Sequence, residues 1–167
     1  MLAKFPNLYG DIEQNVYRRD YIDKVYHIAR LKPDDNLHGI KKGIDMPKVK
    51  ILIVEDDDVL ARVISWRLGN LGYEVCGRTV TSAETMELLA IEKPDLVFMD
   101  INIKGDIDGI ETAKLIKNEF KLPVVYLTSH CDGPTLERAK ATRPDGFVLK
   151  PFADNDLRVA VELALKK

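Results

Sequence analysis

The segment Val49-Lys50-Ile51-Leu52-Ile53-Val54-Glu55-Asp56-Asp57-Asp58 constrains the fold more than any other part of the chain. Five of its first six residues are apolar, the pattern of a strand buried on both faces inside a parallel sheet. It ends in four consecutive carboxylates, which repel one another unless a positive group lies among them. Ligands of open α/β sheets bind at the carboxyl ends of the strands, and a divalent metal is the simplest cation that would make the cluster favourable. The same acids would also suit a solvated loop that opens the next helix, whose N-terminus favours negative charge. The rest of the chain has to separate these readings.

Downstream, strand-like and helix-like segments alternate. Val59–Leu71 has helical periodicity (Leu60, Val63, Ile64, Leu68) and stops at Gly72, and Tyr73–Gly77 is a short strand. Ser82 can cap a helix from Ala83 to Glu92, with Glu84 near its positive end. Leu96–Met99 is an apolar strand ending in Asp100, and Gly109–Phe120 is a helix. Pro123–Leu127 is a strand ending in Thr128, Thr135–Ala141 a helix, Gly146–Leu149 a strand ending at Lys150, and Asp154–Leu165 a closing helix. Five strands and five helices joined by short connections predict an α/β fold with a doubly wound parallel sheet.

Residues 1–48 differ in character. They carry nine Lys/Arg and seven Asp/Glu, whereas residues 49–167 are net acidic, and four of the six tyrosines (Tyr9, Tyr17, Tyr21, Tyr26) lie among them. Ile12, Val16, Ile22, Val25, Tyr26 and Ala29 fall near helical spacing, Pro33 ends that helix, and Gly39, Gly43 and Pro47 mark a linker. The expected organisation is a helical extension and linker over 1–48 and a main domain over 49–167. The extension packs on that domain or on a second subunit as a homodimer contact.

A net charge of −2 provides no global basic field for nucleic acid, and Arg18, Arg19, Lys41 and Lys42 are interspersed with acids. No apolar run approaches bilayer length, and the N-terminus lacks the apolar core of a signal peptide. Cys76 and Cys131 have no metal-ligand spacing and read as reduced thiols, which points to the cytoplasm.

Right-handed crossovers bring the carboxyl ends of all the strands to one edge, so Glu55, Asp56, Asp100, Thr128 and Lys150 can converge. Acids of this kind hold Mg²⁺ through hard oxygen ligands. With a lysine ammonium and a hydroxyl, the metal can neutralise a transferring phosphoryl group, and one carboxylate remains to act as nucleophile.

On these residues the sequence resembles the receiver domain of two-component response regulators over roughly residues 49–167. The motifs are Val54-Glu55-Asp56, Met99-Asp100, Leu127-Thr128-Ser129 and Lys150-Pro151-Phe152, with 44 residues from Asp56 to Asp100 and 22 from Thr128 to Lys150. The resemblance implies a flavodoxin-like sheet of strand order 2-1-3-4-5 and a phosphoacceptor at Asp100. It implies Asp56 and Asp100 as direct Mg²⁺ ligands, Glu55 acting through water, and Asn102 offering its backbone carbonyl. Thr128 and Lys150 would bind the phosphoryl oxygens, and Phe147 matches the aromatic that moves with Thr128 on phosphorylation, an ordinary core aromatic being the other reading. Asp57 falls one place beyond the acidic pair and reads as a loop or helix-start acid. His130 falls where the family tunes phosphoryl lifetime, though an exposed loop histidine explains it as well; His27 and His38 have no assigned chemistry.

The sequence departs from the family between acceptor and following helix. The loop Ile101–Gly109 has no Pro, and its helix-opening Gly stands nine places after Asp100 rather than eight. The resemblance further implies a histidine kinase as donor and a downstream protein target contacted through the fourth helix, fifth strand and fifth helix. No enzymatic activity is expected beyond the chain's own phosphotransfer and autodephosphorylation. A phosphorylation-independent binding module is an alternative. So is a Mg²⁺-dependent aspartyl phosphohydrolase, against which Asn102 argues because such enzymes carry an acid two residues after the nucleophile.

Overall fold

The computed structural model describes residues 48–129 and 132–166. The elements alternate as β1 (Lys50–Val54), α1 (Asp58–Asn70), β2 (Glu74–Thr79), α2 (Ser82–Glu92), β3 (Leu96–Asp100), α3 (Gly109–Glu119), β4 (Val124–Thr128), α4 (Gly133–Ala141), β5 (Gly146–Leu149) and α5 (Asp154–Leu165). All four strand pairings are parallel, in the order β2-β1-β3-β4-β5. This is the expected flavodoxin-like arrangement. The expected extension over 1–48, with His27 and His38, lies outside the described residues except for Lys48, as do His130 and Cys131.

The period of two along each strand divides the core into two layers. Ile51, Ile53, Phe98 and Leu127 pack with Ala61, Ile64 and Leu68 of α1 and with Leu157, Ala160 and Val161 of α5. Leu52, Val54, Met99 and Tyr126 pack on the other face with Leu89 of α2, Ile110 and Ile116 of α3, and Ala139 of α4. β1, β3 and β4 lie inside the sheet and bury every residue except Lys50, which explains their unbroken apolar runs.

Local signals account for the boundaries, with small corrections. Asp57 caps α1, its carboxylate accepting from the Val59 and Leu60 N–H groups at 2.9 and 3.1 Å. It is thus the helix-start acid the sequence suggested. Gly72, at φ +92°, supplies the left-handed turn after α1. β2 starts and ends later than its hydropathy indicated, because a bulge beside Ile51 and Leu52 inserts an extra residue and carries pairing on to Thr79. The cap of α2 is Thr81 rather than Ser82: Thr81 is extended and accepts from the Glu84 N–H at 3.3 Å. α4 begins two residues before Thr135, with Asp132 as its cap and Pro134 in its first turn.

At the amino edge of the sheet, two similar sequences do the same work. Lys93-Pro94-Asp95 and Arg143-Pro144-Asp145 each leave a helix through a left-handed residue, at φ 49° and 51°. Asp95 donates its N–H to the Lys50 carbonyl at 2.8 Å and accepts the Lys50 N–H on its carboxylate at 2.8 Å. Asp145 makes the same pair of bonds with Val124, at 2.8 and 2.9 Å. Each aspartate thereby sets the register of one strand pair.

Candidate functional site

The opposite, carboxyl edge gathers the residues singled out in the sequence. Glu55 follows β1 and is anchored by its N–H to the Thr79 carbonyl at 3.0 Å. Asp100 is the last residue of β3, Thr128 the last of β4, and Lys150 follows β5, its N–H bonded to the Thr128 carbonyl at 2.8 Å. Each functional side chain therefore hangs from a strand end whose backbone is fixed by the sheet, a rigid mounting for a reactive group.

The Lys150 ammonium bridges two acids, 2.6 Å from Asp100 Oδ2 and 2.7 Å from Glu55 Oε2. Glu55, Asp100 and Thr128 are buried, while Asp56 is half-buried at the rim. Carboxylate oxygens of Glu55, Asp56 and Asp100 lie within 4.8 Å of one another. Three acids thus face one lysine. Burial pushes the Glu55 carboxyl above its ordinary value; the hydrogen bond from Lys150 opposes that rise, and the charge of Asp100 adds to it. Burial would lower the Lys150 ammonium, but its bonds to Asp100 and Glu55 outweigh that and hold it above its ordinary value. The unbalanced negative charge, offered by hard oxygen donors at one opening, fits a divalent cation such as Mg²⁺.

Of the remaining groups, Asn102 touches Asp100, while Thr128 and Phe147 have other partners. The Asn102 N–H donates to Asp100 Oδ1 at 3.2 Å, which brings the loop backbone alongside the carboxylate. The Thr128 hydroxyl donates to the Ser129 carbonyl at 2.6 Å. Phe147 is not a core side chain: it lies on edge strand β5, 39% exposed, its ring 5.4 Å from that of buried Tyr126.

The longer loop after Asp100 is accommodated by contacts that hydropathy does not reveal. Lys104 donates its N–H to the Val80 carbonyl at 2.9 Å, tying the loop to the turn before α2. Gly109 then passes so close to β3 that a Cβ there would lie 1.8 Å from the Asp100 carbonyl oxygen. Its N–H donates to the Ile101 carbonyl at 2.9 Å. The glycine at nine places therefore closes the loop against the end of β3.

One connection had no sequence signal. Asp108 caps α3, accepting from the Ile110 and Glu111 N–H groups at 3.0 and 2.9 Å. Its other carboxylate oxygen takes the Arg138 guanidinium of α4 at 2.8 Å, and the same nitrogen lies 3.4 Å from Glu111. Thirty residues separate Asp108 from Arg138, and a charged residue on an exposed helical face does not announce its partner.

The chain matches the family model described as response regulator receiver domain over residues 51–162. It is 34% identical over 118 residues to the transcriptional regulatory protein PdtaR of Mycobacterium tuberculosis, a match covering 71% of this chain and 57% of the relative. It is 34% identical over 122 residues to the heme response regulator HssR of Staphylococcus haemolyticus, covering 71% and 52%. The chain thus matches little more than half the length of these relatives. Among solved structures, it resembles the signal receiver domain of a modulated diguanylate cyclase from Desulfovibrio desulfuricans G20, with TM-score 0.68 and 34% identity over 71% of this chain and 94% of that one. The beryllofluoride-activated receiver domain of Klebsiella pneumoniae RstA is also similar, with TM-score 0.65 and 28% identity over 71% and 99%.

Proposed function

The chain belongs to the response regulator receiver domain family, and from that premise we propose that Asp100 takes a phosphoryl group from a histidine kinase in a Mg²⁺-dependent step. The acyl phosphate then switches a protein-binding surface. The observation that carries this reading is the Lys150 ammonium 2.6 Å from Asp100 Oδ2, beside two further acids. A buried carboxylate that had only a structural duty would be satisfied by its lysine and would need no acidic neighbours.

Asp56, Asp100 and the Asn102 carbonyl would hold Mg²⁺ directly, with Glu55 acting through water. When bound, the metal neutralises negative charge on the phosphoryl oxygens. The chain's own groups do the rest. An Asp100 oxygen attacks phosphorus as the P–N bond to the donor imidazole breaks. Lys150, kept charged by its carboxylate contacts, shifts from bridging two acids to pairing with a phosphoryl oxygen. The Thr128 hydroxyl rotates from the Ser129 carbonyl to a second oxygen. Later, water attacks phosphorus, the O–P bond breaks, and Asp100 returns as a carboxylate with release of inorganic phosphate. No turnover of external substrates is expected, since Asn102 supplies no acid or base beside the acceptor.

The switched surface comprises α4, β5 and α5. β5 and α5 expose Phe147, Leu149, Val159 and Leu163 there, and the Tyr126–Phe147 ring contact links that surface to β4, which carries Thr128. Re-pairing of Thr128 biases this two-state arrangement.

The test is intact mass after incubation with acetyl phosphate and Mg²⁺. Wild type should gain one phosphoryl group, and neither Asp100→Asn nor metal-free protein should gain any. Beryllofluoride, which activates the Klebsiella relative, covers the case of a receiver that accepts phosphate only from its kinase. If neither acetyl phosphate nor beryllofluoride reacts, the phosphoswitch reading fails and a phosphorylation-independent binding module takes its place.

A further inference from the structure

α4 is the helix least anchored by apolar packing. Ala139 is its one buried residue, whereas α3 buries Ile110, Ala113 and Ile116 and α5 buries Leu157, Ala160, Val161 and Ala164. At its C-terminal end, the Thr142 hydroxyl meets the Tyr126 hydroxyl at 3.0 Å. Its lateral hold is electrostatic. Arg138, next to Ala139, reaches Asp108 at 2.8 Å and Glu111 at 3.4 Å. A helix held by ion pairs rather than by a buried face can shift with little loss of core contact.

The position of Asp108 gives that ion pair its consequence. Asp108 closes the loop that begins immediately after Asp100, and the loop is held besides by the Asn102 N–H on Asp100, the Lys104 N–H on Val80 and the Gly109 N–H on Ile101. A contiguous series of bonds therefore runs from the Asp100 carboxylate through the loop to Asp108, Arg138 and α4. Burial alone would raise the Asp108 carboxyl. The Glu111 and Ile110 N–H groups and the Arg138 guanidinium outweigh it and keep the group below its ordinary value, so the pair remains charged near neutral pH.

We propose that Arg138 is a positioning residue for phosphorylation, latching α4 onto the acceptor loop through Asp108 and Glu111 and so favouring the unphosphorylated arrangement. The proposal rests on the phosphoswitch reading above and adds to it a brake outside the Thr128–Phe147 pair. Because the pair is half-exposed, opening it should change the switching equilibrium by no more than about fivefold.

The experiment measures beryllofluoride affinity in the presence of Mg²⁺, read by fluorine NMR on the full chain, for wild type, Arg138→Ala, Arg138→Lys, Asp108→Asn and the double variant Arg138→Ala/Asp108→Asn. Asp108→Asn keeps an acceptor for capping α3 while removing the charge. Arg138→Ala and Asp108→Asn should each bind roughly two- to fivefold more tightly than wild type. The double variant should gain nothing beyond either single change, and Arg138→Lys should return towards wild type. Amide hydrogen exchange over Gly133–Ala141 should quicken in Arg138→Ala without beryllofluoride. A merely structural role would lower Tm and leave affinity unchanged. Unchanged or weaker binding by Arg138→Ala, with wild type binding normally, overturns the latch and leaves the phosphoswitch intact. Wild type that neither binds beryllofluoride nor gains a phosphoryl group from acetyl phosphate overturns both.

Discussion

The two edges of the sheet use aspartate in opposite ways. At the amino edge, Asp95 and Asp145 each accept a backbone N–H from the neighbouring strand and donate their own N–H back, so the charge is spent on register. At the carboxyl edge, carboxylate oxygens of Glu55, Asp56 and Asp100 converge within 4.8 Å, and the Lys150 ammonium pairs with Glu55 and Asp100. A carboxylate satisfied by backbone, and at Asp145 by Lys117 as well, supports the fold. Carboxylates that face one another leave negative charge uncompensated, which costs stability and favours binding of a cation. The same side chain is structural or reactive according to which groups its neighbours supply.

The largest effects should separate the edges outright. Asp100→Asn should abolish phosphoryl gain from acetyl phosphate while keeping the fold, as seen by intact mass and circular dichroism. Lys150→Ala should slow phosphorylation by about a hundredfold or more, since it removes a preorganised positive group from the reacting oxygens. It also leaves Glu55 and Asp100 buried without their cation. In the absence of metal the variant should lose about 3 kcal/mol of stability, and saturating Mg²⁺ should restore a larger share of it than Mg²⁺ adds to wild type. Urea unfolding with and without Mg²⁺ checks this. A Lys150→Ala protein indifferent to Mg²⁺ would deny that the acids form a metal site.

The unequal legibility of the two edges has a physical basis. Strand and helix positions follow from apolar runs and alternation, which is why β1, β3 and β5 fall within a residue of where the sequence put them. The carboxyl-edge cluster was legible because topology alone takes Glu55, Asp100, Thr128 and Lys150 to one place. The bulge that shifts β2 leaves no hydrophobic signature, and the adjacent hydroxyl residues Thr81 and Ser82 both qualify as caps. The Asp145–Val124 register clamp and the Asp108–Arg138 pair were not legible. Each joins an ordinary charged residue to a partner set by three-dimensional packing rather than by spacing.

At the amino edge, a smaller effect of another kind is expected. Asp145→Ala removes the acceptor of the Val124 N–H and the partner of Lys117 Nζ at 2.5 Å, where the carboxylate side chain is only 10% exposed. A charge-assisted backbone bond at such a site is worth about 2 kcal/mol. Unfolding should shift by roughly that amount, and beryllofluoride affinity should change by less than about twofold, because no group at the carboxyl edge is touched. A large change in affinity would mean that the two edges are coupled through β4 and β5.

The smallest effect has the most telling sign. Glu55 is 2% exposed, and its carboxyl is held above its ordinary value in the folded protein by burial, opposed by Lys150 and reinforced by Asp100. Folded protein then retains this proton at pH values where the unfolded chain has lost it. Stability falls as pH rises from the ordinary glutamate range through the raised folded value, and above that window the full cost remains. Glu55→Gln removes the titration. Metal-free Glu55→Gln should therefore be as stable as wild type at acid pH and more stable at neutral pH, as read from urea midpoints across the range. Its Mg²⁺ response should be weaker than that of wild type. A gain in stability paired with a loss of metal response would show that this acid is kept for its reaction at the expense of the fold, the reverse of Asp145. A loss of stability at neutral pH would place Glu55 with the structural acids and restrict the reactive set to Asp56 and Asp100.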